Sequence, residues 1–289
     1  MDVAVVGGSV AGLQAALTLG RARRRVVLYD DGRARNRAAE HVHNYLGAEG
    51  LAPSELLEVG WRQVAQYGVE LRTRRVDEVT ADDDGFVVDG ERVRIVVLAT
   101  GLWDELPEVP GVADGWGRSV VACPHCHGWE VRDEPLVQLG MRGLPERSVA
   151  RALLLSRWSS DVVLLTDGDE LTEAQSHRLA LAGVKVRTER VVAVGAAVQL
   201  ANGEELATRQ VFVTVREHQQ SDLAEQLGCQ LADGAVVTDN AGRTTVPGVY
   251  AVGTAAAPAL LAIGAAGQAS TTAVAVHNDL LELDLGSSW

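Results

Sequence analysis

The sequence predicts an α/β fold of doubly wound parallel sheets in two domains. Three observations carry that expectation. A wholly apolar run, Val3–Val6, opens the chain and leads at once into a glycine-rich turn. Strand and helix patterns alternate again through the middle of the chain, from Val149 to Val186. A length of 289 residues suits two domains better than one small module. Composition agrees, with 47% hydrophobic and 22% charged residues, proportions that support a real core. The net charge of −13 repels phosphate backbones and anionic lipid, so neither nucleic acid nor a membrane surface is an expected partner.

Val3–Val6 reads as a parallel strand buried on both faces. Gly7-Gly8-Ser9-Val10-Ala11-Gly12 follows, then a helical stretch from Leu13 to Leu19, then a second strand, Val26–Tyr29, ending in Asp30. Strand, glycine-rich turn, helix, strand and acid in this order form the Rossmann dinucleotide fingerprint. Gly7 permits the tight turn, Gly12 permits close helix–strand packing, and the helix N-terminus offers amides to a pyrophosphate. Asp30 is placed to accept from a ribose hydroxyl. Ser9 stands where the second glycine of the motif is usual; being small, it hinders phosphate only slightly. Downstream, the basic loop Asp31–Arg37 and the stretch His41–Gly47 could run back along a cofactor, with Arg35 or Arg37 on a phosphate and Asn44 reaching a ring. An ordinary solvated loop with two unremarkable histidines fits those segments equally well.

No apolar run approaches the roughly 18 residues that span a bilayer. The best candidate, Ala255–Ala269, is interrupted by Pro258, Gly264 and Gln268. Met1 and Asp2 lead straight into the first strand, without a basic leader or cleavage site, which predicts a cytoplasmic protein with reduced surroundings. Three cysteines, Cys123, Cys126 and Cys229, are too few for a disulfide scaffold. Cys229 reads as a packing residue.

The most informative stretch is Cys123-Pro124-His125-Cys126-His127-Gly128-Trp129-Glu130. Two thiols at this spacing can close a disulfide within one turn, Pro124 restricts that turn, and the histidines can favour thiolate and move protons near neutral pH. A zinc site is the competing use. Adjacent ligands in so short a loop cannot all reach one tetrahedral metal, and no second Cys/His pair stands at finger spacing, so no metal is expected. An inert buried pair is the other alternative.

Near the C-terminus, Val246-Pro247-Gly248 turns into the apolar strand Val249–Val252, which ends in Gly253-Thr254. A helix is expected from Ala255 to Leu281, entered around Pro258. Taken in order, the Gly7–Leu13 segment, Ala99-Thr100-Gly101, Cys-x-x-Cys and Gly248-Val249-Tyr250-Ala251-x-Gly253 resemble the low-molecular-weight thioredoxin reductases and their relatives, over essentially the whole chain. That resemblance implies FAD, held in a discontinuous domain built from both chain ends with a central domain inserted, and a homodimer. It implies that Cys126 faces the flavin and that Cys123 exchanges with substrate. Gly253 and Thr254 fall where the family contacts the flavin, though the family usually has Asp at the position of Thr254. His127 stands where the reductases usually have Asp. Cys-x-x-Cys-His-Gly-aromatic-Glu is instead similar to the dithiol oxidases of gliotoxin, holomycin and romidepsin pathways, in which His127 would be the acid/base partner.

A reductase needs a second dinucleotide motif in its central domain. Leu136–Leu139 supplies the strand, but Gly140-Met141-Arg142-Gly143-Leu144-Pro145 lacks the motif, because Arg142 replaces a glycine and the third glycine is missing. After the next strand, Asp161–Leu165, Asp167 and Asp169 would repel a 2′-phosphate. NAD(P)H is therefore not an expected cofactor, and thiols become the electron source. The expected partners are a small dithiol, which would be oxidised to an intramolecular disulfide, and O2, which would be reduced to hydrogen peroxide. Trp103, Trp116 and Trp129 flank the redox loop or its approach and would suit a hydrophobic or aromatic substrate; each could equally be core. The alternatives are an NAD(P)H-dependent disulfide reductase of thioredoxin type and a flavoprotein-like binding protein without catalysis.

The organisation expected is therefore two Rossmann-like doubly wound domains. Residues 1–112 and 217–289 form the FAD domain, and residues 113–216 form the central domain carrying Cys-x-x-Cys. The first crossing is placed at the Pro/Gly segment Leu106–Gly111 and the return at the polar run Arg216–Gln220.

Overall fold

The computed structural model describes residues 1–286. Two compact units emerge. The first joins Met1–Arg37, Asn44–Trp103 and the chain from Glu217 onward; the second joins Ala38–His43 to Asp104–Arg216.

A five-stranded parallel sheet organises the first unit, in the order Val249–Ala251, Ile95–Leu98, Val3–Val6, Val26–Asp30, Glu70–Thr73. Val3–Val6 is the middle strand, with Val3 opposite both Val26 and Ile95, and all four of its residues are buried. Strand alternation divides them between two layers. Val3 and Val5 join the core beneath the helices Val10–Arg21 and Ala262–Asp284. Ala4 and Val6 pack instead with Val79, Phe86, Val88 and Val93. Those residues belong to the antiparallel strands Val79–Asp82, Gly85–Val88 and Glu91–Val93 and their neighbourhood. Small residues, Ala11, Ala15 and Ala16 on one helix and Ala265, Ala269 and Ala273 on the other, line the helix-side core and let the two backbones approach closely.

The C-terminal helix differs from its sequence reading. A short 3-10 turn, Gly253–Ala255, follows the last strand, and the helix begins only at Ala262 and runs to Asp284. Pro258 has no N–H and disfavours the helical conformation in the residue before it, so the intervening chain stays irregular.

The second unit repeats the plan. Its parallel sheet runs Lys185–Arg187, Val162–Leu165, Leu136–Leu139, Gln210–Val213, Val120–Val121. Helices Pro145–Leu155 and Glu173–Leu181 contribute Val149, Ala152, Leu155 and Leu179 to the core on one face. The antiparallel strands Val191–Val194, Ala197–Leu200 and Glu205–Ala207 contribute Val194, Val198 and Leu200 on the other. Helix starts follow local chemistry. Pro145 takes the first-turn position, where its missing N–H costs nothing, and the helix it starts runs to Leu155. Thr172 and Gln175 close a reciprocal capping box that starts the next helix at Glu173.

Two segments assigned to the first domain on sequence lie in the second unit. Leu106, Val109 and Val112 pack into the core beside Val194, and the Val194 N–H donates to the Pro110 carbonyl at 2.8 Å. Ala38–His43 also joins this unit, where the Ala38 carbonyl packs so tightly on Gly117, at φ +81°, that a Cβ there would collide with it. No helix among the described residues is long and apolar enough to cross a membrane.

Candidate functional site: a dinucleotide cradle and a redox turn

In the first unit, the cradle lies at the carboxyl ends of the central strands, where doubly wound sheets bind nucleotides. Gly7 adopts φ +109°, and a Cβ there would run into the Ala99 carbonyl. Gly12 faces the Gly7 carbonyl with no space for a Cβ. Ser9 caps the Val10–Arg21 helix with extended backbone and accepts from the Leu13 N–H at 2.9 Å, while its side chain makes no capping bond. The first-turn amides are thus left to other acceptors. Asp30, at the end of its strand, accepts from the Gly8 N–H at 3.0 Å. Burial raises its pKa above the usual carboxylate value, opposed by the N–H groups of Gly8 and Gly32. Gly253 sits at φ +69°, and a Cβ there would press on the Ala11 methyl at 2.9 Å. The Gly253 N–H donates to Gln268 at 2.8 Å, and Thr254 Oγ1 would lie 3.3 Å from a Cβ on Gly101. Six of the sequence candidates, Gly7, Ser9, Gly12, Asp30, Gly253 and Thr254, therefore lie at the carboxyl ends of neighbouring strands, on tightly packed turns beside helix amides that no side chain caps, an arrangement that fits the dinucleotide part of FAD. Arg35 donates to Glu217 at 3.2 Å, and Asn44 takes a left-handed φ of +58°. Gln268, which accepts from the Gly253 N–H, stands in the sequence only as an interruption of an apolar stretch.

In the second unit, Cys123 and Cys126 form a disulfide with Cα atoms 5.3 Å apart. The turn Pro124–His127 carries it, closed by Cys126 N–H to Cys123 O at 3.2 Å and Gly128 N–H to Pro124 O at 2.7 Å. The two histidines part company. His125 is exposed and meets Trp158 edge-on at 5.5 Å. His127 is half-buried, and its pKa is lowered first by burial and then by His43, with Glu130 acting in the opposite direction. His43 Nε2 lies 3.7 Å from Glu130 Oε1. His43 is the member of this group that sequence inspection did not single out. Trp129 is 65% exposed, and the Arg132 guanidinium stacks 4.0 Å from its ring centroid. Trp103, in the first unit, stacks on His218 at 4.5 Å, and Trp116 packs against the second unit's core. Cys229 is buried and donates to Thr244 at 3.4 Å; burial raises its pKa.

The second unit's own nucleotide position is tied to its neighbour. Gly143 N–H, in the loop after strand Leu136–Leu139, donates to the Asp169 carboxylate at 2.9 Å. Arg142 reaches the Asp167 carbonyl at 3.5 Å. The two loops that should flank a dinucleotide are thus bonded to each other.

A dinucleotide-type turn together with a Cys-x-x-Cys disulfide fits one class, the flavin-dependent thiol/disulfide oxidoreductases, and the family comparison agrees. The chain belongs to the pyridine nucleotide-disulphide oxidoreductase family, whose model matches residues 1–277, and this family uses FAD. Thioredoxin reductase sirT of Leptosphaeria maculans is 30% identical, over 89% of this chain and 87% of that protein. Among solved structures, HlmI is 41% identical with a TM-score of 0.91, covering 99% of this chain and 94% of its own. An oxidoreductase from Agrobacterium tumefaciens is 35% identical with a TM-score of 0.90, covering 97% and 98%.

Proposed function

We propose that the protein is an FAD-dependent dithiol oxidase that closes an intramolecular disulfide in a small thiol metabolite. The net reaction is R(SH)2 + O2 → R(S–S) + H2O2. The Asp169 carboxylate on the Gly143 amide carries this reading. It occupies a donor that a nicotinamide dinucleotide would need for its pyrophosphate, and it adds negative charge there. With no hydride donor, the electrons must enter from thiols. Cys123 exchanges with the substrate, Cys126 receives the electron pair as thiolate, and His127 takes the proton. Gly7, Ser9, Gly12 and Asp30 would hold the dinucleotide part of FAD, with Gly253 and Thr254 towards its ribityl chain and Arg35 and Asn44 beyond. Bound FAD supplies two-electron acceptance from the dithiol pair and reoxidation by O2. A cytoplasmic homodimer completes the reading.

Anaerobic mixing tests it. A small dithiol is expected to bleach the flavin band within seconds, and neither NADPH nor NADH to do so. Rapid bleaching by a nicotinamide would replace this reading with the disulfide-reductase alternative, which the name of the L. maculans relative favours.

The role of Asp30 has its own consequence. Asp30→Ala removes an ionised acceptor from both the Gly8 N–H and a ribose hydroxyl, and charged hydrogen bonds are worth roughly 1.5–3 kcal/mol. FAD affinity should fall about 10- to 100-fold, read from the rise of free-flavin fluorescence on dilution.

A further inference from the structure

The Val10–Arg21 helix ends in four arginines within five residues, Arg21 and Arg23–Arg25. Together with Gln66 and Tyr67 they line a surface cleft of about 520 Å3, wholly within the first unit. Small-molecule sites usually measure roughly 300–1,000 Å3. No carboxylate lines this cleft among the described residues, although the chain as a whole carries a net charge of −13. Acids reach two of the arginines from outside the lining. Arg25 pairs with Asp2 at 2.8 Å, and Arg24 pairs with Asp284 at 2.6 Å, a carboxylate it shares with Arg94. The other two keep their charge. Arg21 bonds to the Tyr67 hydroxyl and lies 5.0 Å over the centre of its ring, a neutral partner. Arg23 is exposed and makes no hydrogen bond or ion pair through its side chain with any described residue.

Arg23 also holds a backbone position that suits another residue. Its N–H donates to the Gly20 carbonyl at 2.9 Å and the Arg24 N–H to the Leu19 carbonyl at 3.0 Å, the Schellman helix ending. The left-handed residue of that ending is usually glycine, and Arg23 takes φ +63°. An arginine there is strained, and no contact of its side chain within the chain offsets the strain. The negative end of the helix dipole favours a nearby cation, but Arg21 in the last turn already supplies one. We propose that this cleft binds a small soluble molecule carrying two or more phosphate groups, clasped by Arg21 and Arg23. Guanidinium forks match phosphate oxygens in pairs, and two unneutralised forks side by side favour a diphosphate over a singly charged group. Gln66 and Tyr67 offer an amide, a hydroxyl and a ring beside them to the remainder of the ligand. The net charge of the chain opposes long polyanions, which sets a small ligand above nucleic acid.

Binding here is independent of the dithiol-oxidase reading. The probe is inorganic pyrophosphate, titrated calorimetrically at fixed ionic strength into the FAD-loaded enzyme, whose own dinucleotide site is then filled. One equivalent should bind. Arg21→Gln and Arg23→Gly should each weaken binding by roughly 5- to 20-fold, the range for charged hydrogen bonds discounted for exposure. Arg157→Gln and Arg178→Gln make the same change of charge at exposed arginines of the second unit and should leave the affinity as it was. Stability gives a second readout that misfolding cannot mimic. Without ligand, Arg23→Gly should melt about 2–4 °C above wild type, because glycine relieves the left-handed residue. Added pyrophosphate should raise the melting temperature of the wild type and leave that of Arg23→Gly nearly unchanged. Vesicles of phosphatidylcholine and phosphatidate should not retain the protein. Absence of saturable pyrophosphate binding, equal weakening by the second-unit variants, or sulfate bound as tightly at the same ionic strength overturns the proposal. Retention on the vesicles by wild type and not by Arg23→Gly also overturns it, in favour of a lipid headgroup.

Discussion

Cys123→Ser should abolish dithiol-driven bleaching of the flavin, by roughly a thousand-fold or more, while the purified protein stays folded and yellow. The size follows from losing a reacting sulfur: serine cannot form or resolve a mixed disulfide, and deleting a nucleophile from a cooperating set removes most of the catalytic gain. Structural loss is small by comparison. The cross-link closes a loop of only four residues, and in the chain-entropy view so short a loop contributes about 2 kcal/mol. The turn keeps Pro124 and the backbone bonds at Cys126 and Gly128. The residues proposed to hold FAD lie in the first unit, so Cys123→Ser leaves them in place. Stopped-flow absorbance measures the bleaching, and the spectrum at rest reports the flavin. Cys126→Ser separates the two cysteines: its free Cys123 thiol should attack added glutathione disulfide, keep one glutathionyl group and release one glutathione, whereas Cys123→Ser should gain no such mass. Bleaching at the wild-type rate in Cys123→Ser would remove that residue from substrate exchange.

The features legible in the sequence are those that a local backbone requirement imposes. Gly7, Gly12 and Asp30 could be placed because a tight turn, a close helix contact and a strand-end acid recur at fixed spacing, and the packing supplies a steric reason for both glycines. The Cys-x-x-Cys turn was legible for the same reason. What escaped depends on where remote chain goes. His43 sits in a stretch with no periodic signal. Its meeting with Glu130 follows from the Ala38–His43 segment packing on Gly117, a contact that no local pattern encodes. Asp169 could be read as charge repelling a 2′-phosphate; that it also binds the Gly143 amide required the register of two neighbouring parallel strands. Gln268 was hidden by the opposite effect. Surrounded by alanine and glycine it looked like an interruption, whereas one helical turn places it on the Gly253 N–H.

Gly12→Ala should lower stability by about 3 kcal/mol and leave the protein largely colourless. Overpacking costs typically 1–3 kcal/mol, and this site lies at the upper end because the atom in the way is the Gly7 carbonyl oxygen rather than a movable side chain. Gly7 cannot retreat either, since it is itself wedged against the Ala99 carbonyl at φ +109°. Relief must come from the Val10–Arg21 helix moving off the sheet. That motion would open its contact with the Ala262–Asp284 helix and carry the first-turn amides away from the cradle. For a chain of this size the loss corresponds to a melting temperature about 10 °C lower. Gly267→Ala is the matched control. It lies in the Ala262–Asp284 helix with open space where its Cβ would stand, so the same chemical change should raise stability by roughly 0.5–1 kcal/mol and keep the flavin. Opposite signs for one substitution at two helical glycines test the packing argument itself. Equal melting temperatures for the two variants, measured with flavin content alongside, would show that the helix near Gly12 can shift without cost.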